Sequence, residues 1–249
     1  MIKTGLLSVT FRKLSWEQVL HLAAEAGLDA IEWGGDIHVP HGDIERAAEV
    51  GRRTQEAGLE VASYGSYYCA GNTEKGGPFE AVLGAAVALQ APAIRVWAGD
   101  RGSDVSDVLW RTGVAEDTRR IAELAAREGI SIDFEYHRNT LTDTAESAVA
   151  LLRDIDHPNV RCNWQPPYPG DFEASRRTLD AVLPWLANIH VFHWLPGQRL
   201  PLSEGRADWR QYVSVIAAQA GKHYMMLEFV KDDSPEQFRS DAEALLALL

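Results

Sequence analysis

Eight polar or charged residues stand at the ends of short apolar runs, where a packed interior does not ordinarily hold them: Glu32, Arg95, Glu135, Asn163, Gln165, His190, His193 and Glu228. A charge taken out of water needs a partner. Two carboxylates and an imidazole gathered at one place repel one another or lose solvation unless a cation lies between them. Carboxylate oxygen, amide oxygen and imidazole nitrogen together suit Mn²⁺, Mg²⁺, Co²⁺ or Zn²⁺ and do not choose among them. Each residue alone is better explained by a basic neighbour, with Arg95 the evident partner of Glu32. The shared location of Glu135, His190 and Glu228 is what argues for a site.

The elements that must position these residues follow from a loose repeat. An amphipathic helix ends at Gly, or at Ala-Pro, and a short apolar run follows, as in "AAEAGLDAIEW", "VALQAPAIRVWAG" and "AAREGISIDFEYH". Glycine accepts the left-handed conformation that closes a helix, and short β-rich runs suit buried parallel strands. Counting along the chain places strands near 4–9, 29–33, 60–66, 93–98, 130–136, 159–164, 188–193 and 223–229. Helical patterns fall at 15–27, 43–58, 78–90, 113–128, 143–153, 172–186, 207–220 and 234–249. Ser15-Trp16-Glu17-Gln18 reads as a capping box, and Asp43, Asp143 and Ser234-Pro235-Glu236 as helix starts. No glycine-rich dinucleotide fingerprint follows the first strand, which removes the main reason for an open sheet. Eight βα units in 249 residues predict one closed (β/α)₈ TIM barrel over 1–249, with its active site on the loops after the strands.

Composition narrows the partners. The net charge of −12 argues against a nucleic-acid backbone or an anionic membrane surface. No apolar stretch reaches the roughly 18 residues of a membrane span. The two cysteines, Cys69 and Cys162, lie far apart, and the first residues lack the pattern of a signal peptide, so the expected location is cytoplasmic.

At the strand-end residues the chain resembles the xylose isomerase-like TIM barrels, a family of sugar (phosphate) isomerases and epimerases. The likeness spans nearly the whole chain. It is sharpest in "DFEYHRNTLTDTAESAVALL" (133–152), "NIHVFHW" (188–194), "PLSEGRADW" (201–209) and "LEFVKDDS" (227–234), and "AIEWGGDIHVPHGD" (30–43) is similar to the family's second strand and loop. The resemblance implies a divalent metal held by Glu135 from strand five, His190 from strand seven and Glu228 from strand eight. His193, three residues on, takes a supporting place or exchanges places with His190 as the ligand. Strand six departs from the pattern: Gln165 stands at the family's Asp and Tyr168 at its usual His. Gln offers a neutral carbonyl oxygen to a metal and removes one negative charge.

The activity so implied is proton transfer beside a carbonyl through an enediolate, with Glu135 and Glu228 as acid and base on a sugar, polyol or keto acid. An inosose-type dehydratase, a hydroxypyruvate-type isomerase and a non-catalytic sugar-binding relative stand beside it. His137 is expected to hydrogen-bond substrate or to lie on a surface loop. Arg95 orients substrate or pairs with Glu32. Trp33, Trp97, Trp164 and Trp194 stack on a sugar ring or fill the top of the barrel, and His38 and His41 line the mouth or stay solvated. Arg206 and Lys231 are the candidates for a phosphate, although the acidic balance favours an unphosphorylated substrate. Family likeness also implies a homo-oligomer.

Overall fold

The computed structural model describes residues 1–72, 74–75 and 77–249. Eight parallel strands alternate with eight helices: β1 (Ile2–Leu7), α1 (Trp16–Glu25), β2 (Ala30–Gly34), α2 (Ile44–Glu56), β3 (Glu60–Cys69), α3 (Phe79–Leu89), β4 (Ala93–Trp97) and α4 (Val108–Arg127) make the first half. The second half is β5 (Ser131–Glu135), α5 (Ala145–Ile155), β6 (Val160–Trp164), α6 (Phe172–Val182), β7 (Leu186–Val191), α7 (Arg206–Ala217), β8 (His223–Leu227) and α8 (Pro235–Leu246). Every strand pairs with its sequence neighbour and β8 returns to β1, which closes the barrel. All eight expected strands are present. The main core lies between the strands and the ring of helices, and a smaller cluster of Leu7, Ala30, Ala62, Tyr224 and Met226 belongs to β1, β2, β3 and β8.

Helix boundaries follow local chemistry. Ser15 accepts from the Gln18 N–H while the Gln18 side chain accepts from Ser15 N–H, the reciprocal box foreseen. Asp43 and Ser234 cap α2 and α8, with Pro235 in the first turn of α8. The glycines expected after helices α1, α2, α4 and α7 have φ between 69° and 105°. After α3, Gln90 takes the left-handed position at φ 60°, ahead of the Ala-Pro pair. Three boundaries correct the sequence reading. α4 begins at Val108 because Asp107 caps it. α5 is capped by Thr144, while Asp143 accepts from the Ser103 N–H at 3.0 Å. α6 stops at Val182, and Pro184 lies in a single 3-10 turn beyond it.

The end of β7 also differs. The Phe192 carbonyl accepts from the Trp209 indole at 2.9 Å, and β7 ends at Val191. His193 then opens a two-stranded antiparallel hairpin, His193–Leu195 with Gln198–Leu200, turned at Gly197 (φ 73°). No helix among the described residues is long and apolar enough to cross a membrane.

Candidate active site

The barrel places its second-half polar residues at one rim. Glu135 is the last residue of β5, His190 lies within β7, and Glu228 follows β8 directly. Backbone pairing carries this rim beyond the strands: the Glu228 N–H donates to the Val191 carbonyl at 3.0 Å. The loop after β5 is tied down by hydroxyls, Thr142 donating to the Glu135 carbonyl at 2.6 Å and Thr140 to the His137 carbonyl at 2.7 Å.

One ligand atom from each of Glu135, His190 and Glu228 lies within 4.8 Å of the others. His190 Nδ1 is 3.6 Å from Glu228 Oε2 and 3.8 Å from Glu135 Oε1, too far for hydrogen bonds. His190 is 1% exposed, yet neither ring nitrogen has a hydrogen-bond partner among the described residues. Buried polar atoms are rarely left so. An imidazole aimed between two carboxylates, all three unbonded to one another, fits a divalent cation.

Glu135 divides its two oxygens. Oε2 accepts from Arg95 Nη1 and from the Trp97 indole, each at 2.6 Å, which leaves Oε1 toward His190. Burial works against the charge on Glu135, but the Arg95 guanidinium, then His190 and His137, outweigh it and hold the carboxyl well below the usual range. Burial likewise lowers the pKa of His190, but the charge of Glu228, followed by that of Glu135, leaves it above the ordinary imidazole value. Arg95 turns its Nε to Glu32 Oε1 at 2.9 Å, and Ser63 donates to the other Glu32 oxygen. A Cβ on Gly65 would come within 2.7 Å of both Arg95 Nη2 and Glu32 Oε1, so this triad needs a glycine beside it. Gln165 gives its amide N–H to the Tyr136 carbonyl at 2.7 Å, and its own carbonyl oxygen has no hydrogen-bond partner among the described residues.

A cleft of about 490 Å³ opens above, bordered among others by Glu135, His137, Gln165, Trp194, Arg199 and Glu228. His137 stacks on Trp97 with ring centres 5.3 Å apart and planes 14° from parallel. Its Nδ1 meets the Arg138 carbonyl at 2.7 Å. A carbonyl can only accept, so Nδ1 carries hydrogen and Nε2 is the free nitrogen.

Several expected residues lie elsewhere. Arg95 is buried between Glu32 and Glu135 and is not among the residues that border the cleft. Trp33 is fully buried and donates to Thr54 on α2, so it packs the barrel wall. His38 neither lines the cleft nor meets solvent: it is 2% exposed, bonded to Ser8 Oγ at 2.9 Å and to the Leu14 carbonyl at 3.2 Å. His193, carried away on the hairpin, borders a separate cavity of about 40 Å³ against α6 and α7. Trp164 is buried against Trp209 and Tyr212, while Trp194 and Tyr168 do border the cleft. Sequence reasoning passed over Arg199 and Phe229. The Pro196-Gly197 turn ahead of Arg199 was the available signal that a hairpin projects there.

Residues 20–248 match the family model described as xylose isomerase-like TIM barrel. In sequence the chain is 26% identical over 279 aligned positions to a 3-dehydroshikimate dehydratase from Bacillus anthracis, covering 98% of this chain and 96% of that protein. In structure it is similar to a probable 3-DHS dehydratase involved in petrobactin synthesis from the same organism, with TM-score 0.81, 22% identity and 98% of each chain covered. It is also similar to a D-psicose 3-epimerase in the presence of D-fructose, with TM-score 0.74, 18% identity, and 98% of this chain and 97% of that one covered. The two structural likenesses show a common fold.

Proposed function

The chain belongs to the xylose isomerase-like TIM barrel family, and on that premise we propose that it is a metal-dependent dehydratase of a hydroxylated cyclic keto acid of the 3-dehydroshikimate kind. The observation that carries the reading is the convergence of Glu135, His190 and Glu228 under an open cleft, with both His190 nitrogens unpartnered among the described residues. End-to-end sequence kinship with a 3-dehydroshikimate dehydratase supports dehydration as the outcome.

Glu135 through Oε1, His190, Glu228 and the Gln165 carbonyl oxygen are the candidate ligands. When bound, a divalent cation polarises the substrate carbonyl and lowers the cost of negative charge on its oxygen. The proton transfers fall to the chain. Glu135, with one oxygen held by Arg95 and Trp97, is suited to holding charge, so we assign the base to Glu228. Its carboxylate takes the proton from the carbon beside the carbonyl. The electron pair left behind expels the hydroxyl on the next carbon as that C–O bond breaks. His137 Nε2, after taking up a proton, gives it to the hydroxyl, which leaves as water. One water is lost and no oxidant is required.

The same first step serves an isomerase or epimerase, which would return the proton to carbon. Full-length likeness to a D-psicose 3-epimerase favours keeping that second reading. The test is to strip the protein of metal, reload it with Mn²⁺ or Co²⁺ and supply 3-dehydroshikimate. Formation of 3,4-dihydroxybenzoate is expected, slowed by about 10²–10⁴-fold in Glu228→Gln. Undiminished turnover by Glu228→Gln would remove the base assignment. Deuterium uptake by D-fructose from D₂O, with no reaction of 3-dehydroshikimate, would replace the dehydratase with an epimerase. Sugar binding without any exchange would leave a non-catalytic binding protein.

A further inference from the structure

The hairpin beyond β7 holds a cation over the cleft. In its register Trp194 pairs with Arg199. The Arg199 guanidinium is fixed by three neighbours: Nη1 donates to Asp233 Oδ1 at 2.6 Å, and its central carbon lies 5.7 Å from the Trp194 ring centre and 5.0 Å from that of Phe229. Phe229 follows Glu228 directly and has φ 44°, in the left-handed region. A residue with a side chain keeps that conformation only where its surroundings enforce it. Here the Thr10 hydroxyl accepts its N–H at 3.1 Å, and a second guanidinium, that of Arg12, lies 5.7 Å from its ring. The strained residue thus joins Glu228 to the platform on which Arg199 rests.

Arg199 borders the same cleft as Glu135 and Glu228. A guanidinium offers five N–H donors in a planar fork, and Asp233 is the one hydrogen-bond acceptor that Arg199 meets among the described residues. Arg199 thus brings a cation with unspent donors to the border of the cleft that Glu135 and Glu228 also line. With a keto acid's carbonyl at the Glu135, His190 and Glu228 end, its carboxylate would need a cationic partner elsewhere along the cleft, and Arg199 borders it. Held in place before substrate arrives, Arg199 loses little freedom on binding it, and a planar fork matches a carboxylate.

We infer that Arg199 is the residue that selects a carboxylate-bearing substrate for this cleft, binding the carboxylate through the donors that Asp233 leaves free. The inference rests on the dehydratase reading for the ring it expects, and binding tests it apart from turnover. Calorimetric titration of the Mn²⁺-loaded protein would compare 3,4-dihydroxybenzoate with its methyl ester, which keeps the ring and both hydroxyls and lacks only the charge. Wild-type protein binds the acid about tenfold more tightly than the ester. Arg199→Gln brings the two within about twofold by weakening the acid alone, and Arg199→Lys keeps part of the preference because it keeps the charge. Three results would each overturn the inference: no preference in the wild type, an intact preference in Arg199→Gln, or an equal loss for acid and ester. An acid preference that depends on Arg199, in a protein that leaves 3-dehydroshikimate unchanged, would sink the dehydratase reading and keep this one.

Discussion

Gln165 stands where the family pattern has an aspartate, and the carboxylates around it set the charge that a cation would meet. Glu32, Glu135 and Glu228 bring three carboxylates, and Arg95 bridges the first two. The cluster therefore keeps two net negative charges, the complement of one divalent cation, without help from strand six. Gln165→Asp adds a third charge and is expected to tighten Mn²⁺ binding by about tenfold, measured by calorimetry. Unchanged or weaker affinity would mean that the strand-six side chain does not face the ion. At this scale the sequence was informative where burial makes a residue type anomalous. Glu135, His190 and Glu228 were readable because a strand-end charge has to be explained. Trp33 and His38 were not, since position at a strand end does not tell whether a ring faces the barrel mouth or the helix behind it. Trp33 turns to Thr54 on α2, and His38 is captured by Ser8 and Leu14.

Among the elements, β3 is anchored at the opposite end of the barrel from the site. Its first residue, Glu60, accepts from Lys3 on β1 at 2.6 Å, from Lys222 at 3.1 Å and from the Tyr224 hydroxyl on β8. The Lys3 bond, then that of Tyr224, lowers the Glu60 carboxyl from 4.5 to about 2. A depressed carboxyl stabilises the fold above its ordinary pKa, and the contribution is lost as pH falls through the depressed value. The Glu60 side chain is 40% exposed, so solvent screens much of the effect. Glu60→Gln should lower the melting temperature by about 1–2 °C at neutral pH, with the difference from wild type closing as pH falls from 4.5 toward about 2. A difference that persists unchanged through that window would show that the bond acts through packing rather than charge. The strands themselves were legible because apolar runs and capping residues recur with the period of the fold. The hairpin at 193–200 was not, because no periodicity announces two three-residue strands, and what ends β7 is an indole from Trp209, distant in sequence.

For the molecule as a whole, closure is what turns scattered residues into chemistry. Glu135 and Glu228 are separated by most of the second half of the chain, and the parallel order β5, β6, β7, β8 within the closed barrel brings them to one rim. Eight βα units in a chain of this length already implied that closure. Which strand ends would share a cleft followed from strand order alone, whereas the cation on the hairpin required coordinates. The chemistry proposed for this rim requires Glu135, His190 and Glu228 to hold one metal ion together. Electron paramagnetic resonance of Mn²⁺ added to metal-stripped protein reads that binding without reference to turnover. One tightly bound Mn²⁺ per chain is expected in the wild type and none in His190→Ala at the same concentrations. A wild-type protein that leaves the added Mn²⁺ free, or a His190→Ala protein that binds it as the wild type does, would contradict the account.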